Sequence, residues 1–330
     1  MNKIKIIATG QYLPKKLKSH EEFDKLFNLE KGTTLKKSGV RYRHYIENES
    51  LVEMAKYAVL DAIKDSDFDL KELDCIVFAG GVAQQPIPCS ASLIQKELGL
   101  ENSSIPCFDI NSTCLSFVVA FDTISYLIEA NKYKKVLIVS SDIASVGINY
   151  NDFNSAILFG DGAAAVIVEK SSANDSSKII NFNLKTFSSG ADFAKITGGG
   201  SLIHPRNYSE KTKENFLFCM NGAKIYESAS KHIKQIYDDT LKEANLTIDD
   251  IKLVIPHQAS LMSMKLVQRK LKIPQEKFLY NIENQGNTIA SSIPLCLDYA
   301  IKNNLIKRKD KVVLLGTSAG LSIGVAVFEY

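Results

Sequence analysis

The chain has no apolar run approaching the ~20 residues that a membrane helix needs, although hydrophobic residues make up 45% of its 330. A globular protein with no membrane partner is the expectation. Charge of one sign is also lacking. Forty basic residues stand against 37 acidic ones, for a formal net charge of +3, too balanced to mark a nucleic-acid binder. The six cysteines include no C-x-x-C pair, so zinc and thioredoxin-like sites find no support and no metal is expected. No G-x-G-x-x-G follows the opening segment, and Phe159–Ala165 (FGDGAAA) lacks the Gly-Lys-Ser/Thr of a phosphate loop, which leaves nucleotide cofactors unsupported. The first residues alternate as a strand, without the apolar core and small-residue cleavage site of a signal peptide. The expected location is the cytoplasm, where cysteines stay thiols.

What is present is a long-range repetition. Leu73–Ala79 (LDCIVFA) follows a helical stretch and an acidic turn, and Ile251–His257 (IKLVIPH) does the same in the second half. Lys135–Val139 (KVLIV) and Lys311–Leu315 (KVVLL) form a second pair, and Ala164–Glu169 and Gly324–Glu329 a third. Continuous apolar runs of this length are strands buried on both faces of a layered α/β protein. The pattern predicts duplicated α/β halves, residues 1–172 and 173–330, joined at the polar, serine-rich Ser171–Ser177. A long irregular stretch over 188–216 is either a lid or a tolerated surface insertion.

Three segments can carry chemistry. In Phe108–Asp122 a short strand gives way to a helix with an apolar face, and Cys114 falls at the switch behind Asn111, Ser112 and Thr113, all residues that cap helices. A cysteine in the first turn of a helix is expected to have a lowered pKa. A lone cysteine at such a junction is otherwise an ordinary buried residue, which is also the reading for the other five. His257 ends an apolar strand, where side chains of layered α/β folds point into a crevice; taken singly it is equally a structural histidine. Asn287, in Gly286-Asn287-Thr288, opens the helix that corresponds to the one behind Cys114.

Together these segments, with Tyr12-Leu13-Pro14, Ser38–His44 (SGVRYRH), Phe159–Ala163 (FGDGA) and Ala319–Ser322 (AGLS), resemble the β-ketoacyl-acyl-carrier-protein synthase III family over nearly the whole chain. The resemblance implies a thiolase-like fold, a five-layered α-β-α-β-α sandwich. It also implies a decarboxylating Claisen condensation through an acyl-cysteine. Cys114 would be the nucleophile and His257 and Asn287 the hydrogen-bond donors to the enolate. The backbone N–H groups of Cys114 and Ala319 would form the oxyanion hole. Acyl-CoA or acyl carrier protein thioesters would be substrates, with no separate cofactor, and the protein would be a homodimer that docks acyl carrier protein.

Departures from the family accompany these matches. The tryptophan and arginine that clamp the CoA adenine in acetyl-CoA-using members are replaced by Thr33 and Phe153, leaving Lys37, Arg41 and Phe153 to meet the donor, with Gly320 lining the site. An arginine for carrier docking is replaced by Met262, so Lys265, Arg269 and Lys270 are expected to serve. Ile87 stands in the loop that would cross a dimer interface to the partner's acyl tunnel, and no acidic residue in that loop suggests the base of HMG-CoA synthases or head-to-head condensing enzymes. Two rivals remain. One is a non-decarboxylating acyltransferase that moves an acyl group from Cys114 to an alcohol or amine; the other is a non-catalytic scaffold with the same fold.

Overall fold

The computed structural model describes residues 2–330. The first half builds a five-stranded sheet from β1 (Lys5–Tyr12), β2 (Cys75–Phe78), β3 (Cys107–Asp109), β4 (Lys135–Asp142) and β5 (Gly162–Glu169), in the order β1-β5-β4-β2-β3. The second half builds a four-stranded one from β6 (Lys178–Thr186), β7 (Leu253–Pro256), β8 (Lys311–Ser318) and β9 (Ser322–Glu329), in the order β6-β9-β8-β7. Strand directions correspond as well. In both sheets the first two pairings are antiparallel and the third, β4 with β2 and β8 with β7, is parallel. A single parallel bridge between Val254 and Phe278 stands where β3 would be repeated.

The repeated apolar runs form strands for the reason their composition suggests. All four residues of β2 and of β7 are buried, as parallel strands covered on both faces must be. Each is entered by a one-turn 3₁₀ helix with a capping box, Asp69 with Glu72 and Thr247 with Asp250.

Helices close the layers. α1 (Leu51–Ile63) and α2 (Ser90–Glu97) cover the outer face of the first sheet, and α1 starts on a capping box between Ser50 and Glu53. α3 (Ser116–Glu129) lies between the sheets, burying Phe117, Phe121, Ile124 and Ile128. α4 (Gly222–Glu243) and α5 (Leu261–Lys270) cover the second sheet from outside, while α6 (Ser292–Lys302) joins α3 in the central layer. The result is the expected five-layered sandwich. The central core mixes both halves, with Phe121 of α3 edge-on to Phe328 of β9 at 5.5 Å between ring centroids. No helix among the described residues is long and apolar enough to cross a membrane.

Candidate active site

Two helix starts from the two halves are built alike. Thr113–Leu115 and Ile289–Ser291 are single 3₁₀ turns leading into α3 and α6. Each contains a non-glycine residue with positive φ, Thr113 at 50° and Ile289 at 53°. Such backbone is costly for a β-branched residue and needs surrounding contacts to hold it. An asparagine supplies one: Thr113 N–H donates to Asn111 Oδ1 at 2.9 Å, and Ile289 N–H donates to Asn287 Oδ1 at 3.0 Å. Cys114 therefore precedes α3 within the 3₁₀ turn and is not in its first α-turn, and Ser112 makes no side-chain cap there.

The Asn287 turn is docked on the first half by backbone. Asn287 N–H donates to Leu158 O at 2.8 Å, and Gly160 N–H donates to Asn287 O at 3.0 Å. Gly160 has to be glycine for this approach, because a Cβ there would stand 2.3 Å from Gln285 O. The Phe159–Ala163 motif thus holds Asn287 in place through its backbone.

Cys114, His257, Asn287, Ala319 and Gly320 all line one cavity of about 530 Å³ between the halves. His257 and Asn287 are each 6% exposed. His257 Nδ1 lies 2.7 Å from Ser292 Oγ, which also receives Gln258 N–H at 3.4 Å. Nδ1 is the one acceptor within reach of this buried hydroxyl among the described residues; a hydroxyl that donates to it assigns the imidazole proton to Nε2, free to donate into the cavity. Burial pushes the His257 pKa down to about 4, so the ring is neutral at physiological pH. Asn287 Nδ2 spends one hydrogen on Ala259 O at 3.3 Å and keeps the other.

The lowered thiol pKa expected for Cys114 is not found. Burial pushes it up to about 12, and the nearby Asp142 carboxylate adds to the rise, while the backbone N–H groups of Cys114 and Ala319 that face the sulfur pull the other way. A short 3₁₀ turn offers little dipole against the loss of solvation at the half-buried Cys114. Inactivation by iodoacetamide, followed from pH 6 to pH 10, is therefore expected to accelerate about tenfold per pH unit without levelling off. A plateau below pH 8 would show a low-pKa thiol and contradict the geometry.

The chain matches two models of one family, "3-Oxoacyl-[acyl-carrier-protein (ACP)] synthase III" over residues 108–188 and its C-terminal counterpart over residues 241–330. It is 31% identical to the β-ketoacyl-[acyl-carrier-protein] synthase III of Clostridium acetobutylicum, covering 100% of this chain and 99% of that one. With the Acholeplasma laidlawii protein of the same name the identity is 33%, over 99% and 98%. The chain belongs to the 3-oxoacyl-[acyl-carrier-protein] synthase III family. The crystal structure of the Aquifex aeolicus synthase III superposes with a TM-score of 0.88 at 29% identity, covering 99% of this chain and 100% of that one.

Other residues named from the sequence fare differently around this cavity. Lys37 sits over the Phe153 ring, 4.8 Å from its centroid, and Phe153 in turn packs edge-on against Phe27 at 5.0 Å. The Arg41 guanidinium meets Glu283 at 2.8 Å, a partner 242 residues away, in an exposed ion pair. Ile87 does not line this chain's own cavity; it is 82% exposed on the loop after β2. Lys265 and Arg269, one turn apart on α5, join Lys36, Lys37 and Met262 around a depression of about 250 Å³. Lys270 lies off that depression, because position i+1 on a helix faces away from i. The irregular stretch is part of the site, since Gly190, Ala194, Lys195, Ile196 and Phe216 line the cavity.

Two residues escaped notice in the sequence. Ser292 sets the His257 tautomer, and its only signal was a place in a serine pair opening α6. Asp142, fully buried at the end of β4, accepts from Gly81 N–H at 2.8 Å, Val82 N–H at 3.1 Å and Ser291 N–H at 3.1 Å. It ties the loop after β2 to the turn that bears Asn287. Burial raises its pKa to about 7.

Proposed function

We propose that this protein transfers an acyl group from a thioester to Cys114 and condenses it with a malonyl thioester of acyl carrier protein, releasing carbon dioxide. One observation carries the reading. A thiol from the first half, and two neutral donors and a backbone N–H from the second, converge on a single apolar cavity.

In the first half-reaction the Cys114 sulfur attacks the acyl carbonyl carbon. The oxyanion is held by the N–H groups of Cys114 and Ala319, and the carrier leaves as a thiol with the Cys114 proton. Next the bond between the malonyl carboxylate and its methylene breaks. Carbon dioxide departs, and the electron pair goes to an enolate whose oxygen accepts from His257 Nε2–H and Asn287 Nδ2–H. These donors are neutral, so they favour charge that exists only along this path. The enolate carbon then attacks the acyl-Cys114 carbonyl, and expulsion of the sulfur gives the β-ketoacyl thioester. The expelled Cys114 thiolate, whose thiol has a pKa near 12, takes up a proton from solvent, which balances the one that left with the first carrier. The thioesters are the only reactants, so no cofactor is drawn on.

The basic depression between the helix Thr33–Ser38 and α5 is the docking surface of this reading. Lys36, Lys37, Lys265 and Arg269 are all exposed there, a pattern suited to an acidic carrier protein. Reversing Lys265 and Arg269 to glutamate is expected to raise the KM for malonyl-carrier protein by on the order of tenfold, with a weaker salt dependence. The reading extends to a homodimer in the cytoplasm. The open edge of β3 and the exposed Ile87 loop are surfaces that a second copy would cover; sedimentation as a single 36.5 kDa species would overturn the dimer. The test of the function itself is incubation with acyl thioesters and malonyl-carrier protein, measuring carbon dioxide and product mass. Acyl transfer to an alcohol or amine without carbon dioxide would replace condensation with simple transfer.

A further inference from the structure

The cavity has two unlike arms. On one side it is lined by Tyr226 of α4, by Ser260 and Ser263 at the start of α5, whose hydroxyls bond each other at 2.8 Å, and by Thr317 of β8, polar side chains of the kind that can border the amides of a thioester's carrier arm. The other side starts at Ile289, two residues beyond Asn287, and belongs to a separate cluster containing Ala144, Ile148, Leu158, Phe159, Phe218 and Met220. Three backbone segments lie side by side in this wall. Phe218 N–H donates to Gly147 O at 2.8 Å, Ala194 pairs with Met220, and the Phe159 and Phe218 rings meet edge-on at 5.1 Å.

Polar side chains on this second arm are already engaged. Ser155 Oγ bonds Asp152 Oδ2 at 2.7 Å, and Lys195 Nζ bonds Asp192 Oδ1 at 2.8 Å. The wall is also held back by small residues, Ala144, Gly147 and Ala194. A Cβ added to Gly147 would meet nothing nearer than Ile196 Cδ1 at 3.8 Å. At its far end the arm reaches Val146, 67% exposed, and Ile196, 44% exposed. A two-carbon acyl group leaves more of this apolar lining without dispersion partners than a longer chain does.

Resting on Cys114 as the acylated residue, we infer that the acyl group this chain accepts is an apolar chain of hexanoyl to decanoyl length, seated against Ala144, Gly147 and Ala194. Each added methylene buried in the arm raises the efficiency of acylation by roughly fourfold. Octanoyl transfer then exceeds acetyl transfer by on the order of a hundredfold or more.

The test offers the wild-type protein acetyl, butyryl, hexanoyl, octanoyl and decanoyl thioesters of one carrier, singly and in competition, and follows adducts by intact-protein mass. Efficiency rising from acetyl to octanoyl supports the inference; acetyl equal to or better than octanoyl overturns it. Ala144→Leu and Ala194→Leu are expected to cut the octanoyl-to-acetyl ratio at least tenfold. A ratio unmoved in both, or in the milder Ala144→Val, places the chain elsewhere and also overturns it. The underlying reading fails differently: in that case no thioester of any length marks Cys114.

Discussion

Replacing Cys114 with alanine is expected to abolish the acyl adduct and to lower condensation by on the order of 10⁴-fold or more, the scale seen when a covalent nucleophile is removed. The same variant is expected to keep releasing carbon dioxide slowly from malonyl-carrier protein. That split follows from the geometry. The donors for the enolate, His257 and Asn287, are held by Ser292, Ala259 and the Leu158–Gly160 backbone, none of which depends on the Cys114 sulfur. Intact mass and carbon dioxide evolution, measured on one preparation, check both halves. An adduct persisting at full stoichiometry would move the nucleophile to another residue. Of the other cysteines, Cys75 and Cys296 are buried in the core and Cys219 is exposed on the surface.

The complementary result is expected at His257 and Asn287. His257→Ala or Asn287→Ala should still accept an acyl group on Cys114 yet lose on the order of 10²–10³-fold in condensation, the usual effect of deleting one preorganised donor. The double variant should lose far less than the product of the two, because both donors serve one oxygen. The pH dependence carries a sign. A histidine with a pKa of about 4 stays neutral as pH falls through ~6.5, where a free imidazole charges, so condensation should show no His257 inflection between about pH 5 and about pH 8. In the unfolded chain His257 takes its proton at the ordinary value. Stability is therefore lost as pH drops from there toward the folded pKa, and stopped-flow rates must be read where the fold is intact. If single-turnover acylation fell as steeply as condensation in either variant, these residues would be serving the first half-reaction instead.

Much of the fold was legible because buried strands announce themselves. A run such as Lys135–Val139 or Lys311–Leu315 has no polar face, so it can only lie between covering layers, and its recurrence predicts the second sheet from the first. Motif chemistry likewise singled out Cys114, His257 and Asn287. The roles of Asp142 and Ser292 were not legible: Asp142 bonds a backbone N–H of the other half, 149 residues away, and Ser292 a ring 35 residues away, and no local pattern encodes such partners. The ion-pair partner of Arg41 was hidden for the same reason, since Glu283 lies in the second half.

By itself, then, the sequence determined the duplicated α/β layering and singled out the side chains proposed to react, because periodicity and residue chemistry are local properties. Tertiary structure alone decided the state of those side chains and the room around them. The protonated Cys114, the neutral His257 with its proton on Nε2, the freed depression beside Lys265 and the apolar arm behind Ala144 and Ala194 all arise where the two halves meet. Desolvation and cavity shape depend on what comes together there from distant parts of the chain.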